Sequence, residues 1–139
     1  MREINKIIVH CSATKPSMDI GKKEINDWHV AKGWDGIGYH YVIRRNGVVS
    51  KGRDISKAGA HAKGHNFGSI GVCLVGGVDN EGIADDNFTI KQYNSLYQLI
   101  KFLFATFPAK ELMGHRDLPN VNKSCPCFDV SAWYERNNT

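Results

Sequence analysis

The sequence predicts a single α/β domain in which a central mixed β-sheet is flanked by helices. Apolar, β-branched segments typical of buried strands alternate along the chain with amphipathic segments typical of helices. An Asn-Gly pair inside an alternating stretch indicates a hairpin, which adds an antiparallel strand and makes the sheet mixed. The length of 139 residues suits one core, so we assign residues 1–139 to one domain.

Four segments are candidates for the strands of this sheet. Residues 4–11 are apolar and β-branched, and residues 69–78 are almost wholly apolar, as expected of a strand buried on both faces. Residues 38–53 alternate on either side of Asn46-Gly47, a pair that tolerates the positive φ angles of a tight turn. The short apolar piece at 111–113 is the candidate last strand.

Three helices are predicted from spacing and capping. Residues 22–32 carry apolar side chains at helical spacing between two glycines. Thr89 and Gln92 form a capping-box pattern that starts the longest helix, which has one wide apolar face. Asp129 is expected to cap a last helix. The polar stretch 114–128 before it is predicted to be a loop.

Charge and hydropathy limit the partners. The net charge is +4, but the basic residues are scattered among acids, which indicates only a mild preference for anionic partners such as a carboxylate-rich polymer. We therefore expect no nucleic-acid partner. No apolar run is long enough for a membrane span, so we expect no membrane binding. No secretory signal precedes the first strand, so we expect synthesis in the cytoplasm. We also expect a monomer.

Three side chains are candidate metal ligands. His10 lies at the end of the first strand, His115 follows the last one, and Cys125 lies ten residues further on. Zinc accepts imidazole nitrogen and thiolate sulfur, and catalytic zinc sites use three protein ligands and one open position. The alternative is a capped core histidine with cysteines acting as small buried apolar residues, and the residue types alone leave both open.

Six short motifs follow one another along the chain. They are Val9-His10-Cys11-Ser12-Ala13-Thr14, Gly38-Tyr39-His40, His61-Ala62-Lys63-Gly64, Ser69-Ile70-Gly71-Val72, Gly114-His115-Arg116-Asp117 and Lys123-Ser124-Cys125-Pro126. With them the sequence resembles, over residues 4–136, the type 2 N-acetylmuramoyl-L-alanine amidases, a family shared with the peptidoglycan recognition proteins. Within the family it is most similar to the amidase-type lysozymes of T-odd coliphages.

The resemblance implies the amidase type 2 fold, one catalytic domain and a reaction. The reaction is zinc-dependent hydrolysis of the amide bond between N-acetylmuramic acid and the L-alanine of peptidoglycan, as in phage or prophage lysis. The family's zinc ligands match His10, His115 and Cys125, which implies one Zn²⁺ per chain. Its active-site tyrosine matches Tyr39, and its catalytic lysine matches Lys123. These types suit metal-assisted hydrolysis, in which a cation stabilises the developing oxyanion.

The other histidines are candidates either for substrate binding or for a structural role. In the resemblance, His61 of the glycine-rich segment 55–68 matches a position that lines the substrate groove, and Asn66 lies near it. Both are candidate substrate-binding residues, and the alternative for each is a solvent-exposed loop position. His29 on the first helix and His40, which alternates with Tyr39 along a strand, are expected to be structural.

The cysteines leave two questions open. Cys127 either competes with Cys125 as a ligand or pairs with it in a disulfide that removes the thiolate; the family pattern selects Cys125 as ligand. Cys73 lies in an apolar run and is expected in the core. The predicted strand that contains Cys73 carries no carboxylate, so the identity of the general base is an open question. The preferred interpretation is metal-activated water assisted by Tyr39.

Three functions compete. The first is a zinc amidase of the lysis type, made in the cytoplasm and acting on the cell wall after release. The second is a binding module that grips muramyl peptides without cutting them, and the third is a cytoplasmic amidase that recycles muropeptides. Non-catalytic relatives typically lose the cysteine ligand, so the presence of Cys125 with Tyr39 and Lys123 favours catalysis. The sequence does not distinguish polymeric wall from small muropeptides as the substrate.

Overall fold

A computed structural model describes residues 2–138 and places five strands of that span in one sheet. They are β1 (Lys6–Cys11), β2 (Tyr41–Ile43), β3 (Val49–Lys51), β4 (Ser69–Leu74) and β5 (Glu111–Gly114). Their order is β3-β2-β4-β1-β5, in which β3 runs antiparallel to β2 and the other pairs are parallel. The same residues form three α-helices, α1 (Lys22–Ala31), α2 (Ile90–Thr106) and α3 (Val130–Asn137). The predicted α/β domain with a mixed sheet is confirmed.

The main core lies between one face of the sheet and α2. It contains alternate residues of the two central strands together with the apolar face of the helix: Ile7, Val9, Ile70, Val72, Leu74, Leu96, Ile100 and Leu103. Successive side chains of a strand point to opposite faces. His10 of β1 and Ser69, Gly71 and Cys73 of β4 therefore point to the second face of the sheet. This second face carries the candidate site.

Hydrogen bonds at the start of α2 fix it to the sheet. The predicted capping box is present: Thr89 Oγ1 accepts from the Gln92 N–H at 3.0 Å, and Gln92 Oε1 accepts from the Thr89 N–H at 2.9 Å. The buried Gln92 amide also donates to the carbonyls of Ile43 (3.2 Å) and Val75 (2.8 Å). Asp129 caps α3 as predicted. No helix among the described residues is long and apolar enough to cross a membrane.

Glycines mark where strands end. Gly47 adopts φ 87° in the predicted hairpin turn between β2 and β3. The strand predicted to reach residue 78 ends at Leu74, because Gly76 and Gly77 follow with φ values of 130° and 101°. Such positive φ values do not continue a strand. Residues 75–77 stay buried, and residues 75–78 form only isolated bridges, from Gly77 to Thr14 and from Val78 to Ala84.

Candidate metal centre

Three side chains from separate segments converge on the second face of the sheet. Ligand atoms of His10, His115 and Cys125 all lie within 4.8 Å of one another, and among residues 2–138 this is the one group of its kind. β1 and β5 are parallel neighbours in which Val9 pairs with Gly114, and the residue that follows each member of this pair is a histidine. The two rings therefore stand side by side, with centroids 4.6 Å apart. The structure thus brings together the three ligands that were predicted.

The start of the loop after β5 is ordered by local bonds. Residues 114–128 were predicted to be a loop, but the segment opens with a 3-10 turn, His115–Asp117. The Asp117 carboxylate accepts from the Gly114 N–H at 2.9 Å, and the Leu118 N–H donates to the His115 carbonyl at 3.2 Å. This side-chain cap holds His115 at the end of the sheet.

Backbone contacts hold Cys125 against the same sheet edge. Pro126 packs on Gly114 so closely that a Cβ there would lie 2.7 Å from the proline ring, so only glycine leaves room. The Arg116 N–H donates to the Cys125 carbonyl at 2.8 Å. The Cys11 N–H donates to Cys125 Sγ at 3.0 Å. An N–H donor suits a thiolate sulfur, which is the form of cysteine that binds metals.

The ring of His10 is buried and bonded on one side. It is 1% exposed, and its Nε2 lies 2.7 Å from His61 Nδ1. The other ring nitrogen of His61 lies 3.1 Å from Ser69 Oγ. The Ser69 hydroxyl donates to the His65 carbonyl at 2.7 Å. His10 therefore stands at the end of a hydrogen-bonded row that runs back into the protein.

The environment keeps both histidines of the cluster uncharged. Burial lowers the pKa of His10 well below its usual value, and the neighbouring His61, His115 and Lys123 lower it further. Burial also lowers the pKa of His115, and the charge of Lys123 adds to the effect. Neutral imidazole is the form that donates a lone pair to a metal. Both rings are thus in the binding state at neutral pH.

The two predicted catalytic side chains border the cluster. The Tyr39 ring lies 5.1 Å from the His10 ring, centroid to centroid. Burial raises the pKa of the Tyr39 phenol well above its usual value, and the nearby thiols, of which Cys73 contributes most, raise it further. Tyr39 therefore keeps its proton at neutral pH. Lys123 is exposed, and its positive charge lowers the pKa of both cluster histidines.

Comparison with known proteins decides the family. Residues 1–128 match the family Amidase_2, N-acetylmuramoyl-L-alanine amidase. The chain belongs to this family. It is 50% identical over 131 residues to the endolysin of Enterobacteria phage T3, which covers 94% of this chain and 85% of that protein. It is 46% identical over 136 residues to the endolysin of Klebsiella phage KP32, covering 98% and 89%.

Solved structures give the same fold. The N-acetylmuramoyl-L-alanine amidase LysC of Clostridium intestinale superposes with a TM-score of 0.82 at 27% identity, covering 99% of this chain and 87% of that one. Drosophila PGRP-LB superposes with a TM-score of 0.73 at 25% identity, covering 91% and 76%. The predicted amidase type 2 fold is confirmed, and so is the enzyme class: the chain is an N-acetylmuramoyl-L-alanine amidase.

His61 and Asn66, the predicted substrate-binding residues of this amidase, make bonds within the protein. The two ring nitrogens of His61 face His10 and Ser69. Asn66 Oδ1 accepts from the backbone N–H groups of His61 and Ala62, both at 2.9 Å. These bonds fold the segment 55–68 onto the sheet. Substrate contact by His61 or Asn66 stays a prediction.

The cysteines of the amidase are free thiols. Cys73 is fully buried, as predicted. Cys127 Sγ lies 3.3 Å from the Gly77 carbonyl, to which it donates, and it stands outside the metal cluster. Burial, with a smaller effect of Cys11, raises the pKa of Cys127 to about 11, so it is a thiol at neutral pH. The disulfide between Cys125 and Cys127 is absent, and the cluster of candidate ligand atoms contains Cys125 and not Cys127.

Two further histidines of the amidase are structural, as predicted. His29 Nδ1 accepts from the Gly38 N–H at 2.9 Å, which holds α1 against the residue that precedes Tyr39. His40 Nδ1 accepts from the Gly71 N–H at 3.0 Å, and its Nε2 lies 2.8 Å from the Lys57 carbonyl. His40 therefore ties the segment 55–68 to β4.

Sequence reasoning missed the groups that surround His61. A Cβ at Gly71 would lie 2.6 Å from the His61 ring, and one at Gly59 would lie 2.5 Å from it, so two glycines leave the space that the ring fills. Ser69 supplies its hydrogen-bond partner. A signal was present: Ser69 and Gly71 are two residues apart on one strand, and so share the face to which His10 points.

Proposed function

We propose that this amidase is a zinc-dependent lysis enzyme that cuts the bond between N-acetylmuramic acid and L-alanine in peptidoglycan. We assign it one Zn²⁺ per chain, held by His10, His115 and Cys125, and we take residues 1–139 as one catalytic domain. The observation that carries the proposal is the convergence of these three ligand atoms within 4.8 Å at the carboxyl ends of two parallel strands.

The donor set fits zinc. Two imidazoles and one thiolate leave one position open in a tetrahedral site, which is the pattern of catalytic zinc. Soft sulfur together with imidazole favours zinc over magnesium or calcium. Both histidines are neutral, and the Cys11 N–H points at the sulfur. When bound, the ion would act as a Lewis acid on the scissile carbonyl and the attacking water.

Tyr39 is proposed as a hydrogen-bond donor to the reacting atoms. Its ring stands against His10, and its raised pKa keeps the phenol protonated. A protonated phenol can donate to an oxygen that gains negative charge in the transition state. The same proton prevents Tyr39 from acting as a general base at neutral pH.

Lys123 is proposed to stabilise the oxyanion. Its positive charge lowers the pKa of both cluster histidines, and it belongs to an exposed loop, where a bound substrate can reach it. A positive charge at this place stabilises the tetrahedral intermediate more than the neutral ground-state amide. Removing one such donor typically costs about 10²–10³ in kcat.

Substrate binding is proposed for the segment that carries His61 and Asn66. With its ring nitrogens engaged, His61 would offer the substrate the edge of its ring and not a hydrogen bond. The partner is peptidoglycan or a muropeptide derived from it, bound by a monomer. A net charge of +4 suits a polymer rich in carboxylates.

The relatives support the lysis role over muropeptide recycling. The relatives with 46–50% identity over most of the chain, from phages T3, T7, KP32 and K11, are endolysins. We propose that this enzyme likewise acts on the cell wall after release from the cytoplasm.

Product analysis tests the proposed reaction. The purified protein is incubated with insoluble peptidoglycan and, separately, with a defined muramyl tripeptide. We expect free amino-terminal L-alanine from both, without new reducing sugar ends, by mass spectrometry and end-group labelling. Binding without cleavage would support the recognition-module function instead. Cleavage of the soluble peptide alone would contradict the lysis role.

A further inference from the structure

We propose that His61, held by Ser69, is a positioning residue that fixes the orientation and the protonated nitrogen of the metal ligand His10. The proposal rests on the zinc site proposed above. It gives His61 a task within the protein that is separate from contact with substrate.

The direction of each hydrogen bond follows from the end of the row. The His65 carbonyl can only accept, so the Ser69 hydroxyl donates its one hydrogen to that carbonyl at 2.7 Å. The Ser69 oxygen then accepts from His61 Nε2–H at 3.1 Å. In a neutral imidazole with Nε2 protonated, Nδ1 carries a lone pair and accepts.

The last step fixes His10. Since His61 Nδ1 accepts, the bond of 2.7 Å to His10 Nε2 requires the proton to lie on His10. The Nδ1 of His10 then carries the lone pair that a metal needs. A single carbonyl at the far end of the row thereby determines which nitrogen of His10 is the ligand.

The row is built into the fold at each residue. Ser69 is fully buried on a central strand, and His10 is 1% exposed on the strand beside it. The His61 ring fills a space that Gly59 and Gly71 leave open, where a Cβ would approach it to 2.5–2.6 Å. The Asn66 carboxamide oxygen accepts from the backbone N–H of His61 at 2.9 Å. The ring has little freedom to turn away from His10.

Outer partners of this kind have a measurable effect. Hydrogen-bonded partners of metal-bound histidines typically contribute about 10- to 100-fold in metal affinity. His61→Ala removes the acceptor and frees the His10 ring to turn. Ser69→Ala keeps His61 but removes the group that orients its proton, so a smaller loss is expected. His61→Asn restores an oxygen near the position of Nδ1 and should recover part of the affinity.

The test measures zinc affinity apart from activity. Each variant is titrated with zinc against a chromophoric chelator, and its cobalt(II) absorption spectrum is recorded, at a temperature where circular dichroism shows it folded. The matched control is His65→Ala, which removes a histidine side chain from the same segment and keeps the carbonyl that ends the row. We expect affinity losses of about 10- to 100-fold for His61→Ala, less for Ser69→Ala and none for the control.

The outcomes separate this proposal from the zinc site itself. A native chain that binds no zinc would overturn both. A native chain that binds zinc tightly, with His61→Ala and Ser69→Ala unchanged in affinity and in the cobalt spectrum, would overturn only the positioning role. Lower thermal stability of the variants without a change in affinity or spectrum would mean that His61 only packs, and would also overturn it.

Discussion

The two halves of the candidate metal centre are built in different ways. The strand half consists of His10 with His61 and Ser69, which are bonded to one another through their side chains. The loop half consists of His115, Lys123 and Cys125, of which His115 and Cys125 are held by hydrogen bonds to backbone groups. His10 is 1% exposed, whereas Lys123 is exposed. The strand half has its His10 and Ser69 in the buried interior, whereas the loop half lies closer to solvent.

This difference separates two kinds of consequence. A change in the strand half removes a proposed metal ligand or its support and also leaves polar groups unpaired in the interior. A change in the loop half removes a ligand or a charge beside solvent, where the surroundings can relax. The two halves should therefore give similar losses of activity with different losses of stability.

The largest expected effect compares Cys125→Ala with His10→Ala. Each removes one of three ligands, so zinc binding and hydrolysis of a muramyl peptide should both be abolished, with a fall in kcat of about 10³ or more. In zinc-free protein, His10→Ala should also cost about 1–3 kcal/mol, because His61 Nδ1 loses its donor. Urea unfolding of the chelated proteins measures this.

In the same comparison, Cys125→Ala should change the stability of zinc-free protein by less than about 1 kcal/mol, because its sulfur accepts one backbone N–H at the edge of the fold. A variant of either ligand that hydrolyses at the parental rate would contradict the ligand assignment. Equal stability losses would contradict the difference between the halves.

Lys123→Ala should act on catalysis alone. We expect kcat to fall about 10²–10³-fold, because the oxyanion loses its cation. KM, zinc affinity and unfolding free energy should stay close to those of the parent, since Lys123 is exposed. Steady-state kinetics on a soluble muramyl peptide checks this, and a rise in KM at constant kcat would assign Lys123 to ground-state binding instead.

Acid should weaken the attachment of the segment 55–68 to β4. Burial lowers the pKa of His40, which ties the segment 55–68 to β4, to about 4. Between pH 6.5 and 4 the unfolded chain therefore binds a proton at His40 that the folded chain does not. The contribution of neutral His40 to the free energy of unfolding is complete above pH 6.5 and is lost as the pH falls. The loss from His40 at pH 4 is about 3 kcal/mol.

Urea unfolding of zinc-free protein at pH 7 and pH 4 measures this loss. The control is His40→Gln, which should be less stable than the parent at pH 7 but should lose less on acidification. A parent and a variant with the same dependence on pH would contradict the assignment to His40.

The smallest effect is expected for Cys127→Ser. The Cys127 thiol donates to the Gly77 carbonyl outside the cluster, and a serine hydroxyl can make the same bond. Zinc content and kcat should stay within about twofold of the parent, with a stability change below about 1 kcal/mol. Loss of zinc in this variant would show that Cys127, and not Cys125, is the ligand.

Features that depend on local sequence pattern could be predicted from the sequence. The strand that ends at His10, the capping box at Thr89 and the Asn46-Gly47 hairpin follow from local pattern, and the structure contains all three. The fold and the enzyme class followed from motifs that a single sequence displays. Residue types near strand ends were enough to name candidate ligands.

The remaining features depend on contacts between distant segments. The bond from Ser69 to His61 needs the segment 55–68 to fold back onto β4, and no local pattern encodes that return. Cys125 Sγ, the proposed ligand, accepts from the backbone N–H of Cys11, which lies over a hundred positions away in the chain. The 3-10 turn His115–Asp117, where a loop is predicted, is an exception, because the Asp117 carboxylate caps it locally on the Gly114 N–H.

Metal content measured together with activity tests the central claim most directly. The purified protein is analysed for bound metals, and hydrolysis of a defined muramyl peptide is followed before chelation, after chelation and after zinc is returned. We predict one zinc per chain, loss of hydrolysis on chelation and its recovery with zinc. Full hydrolysis by protein shown to be free of metal would contradict the account.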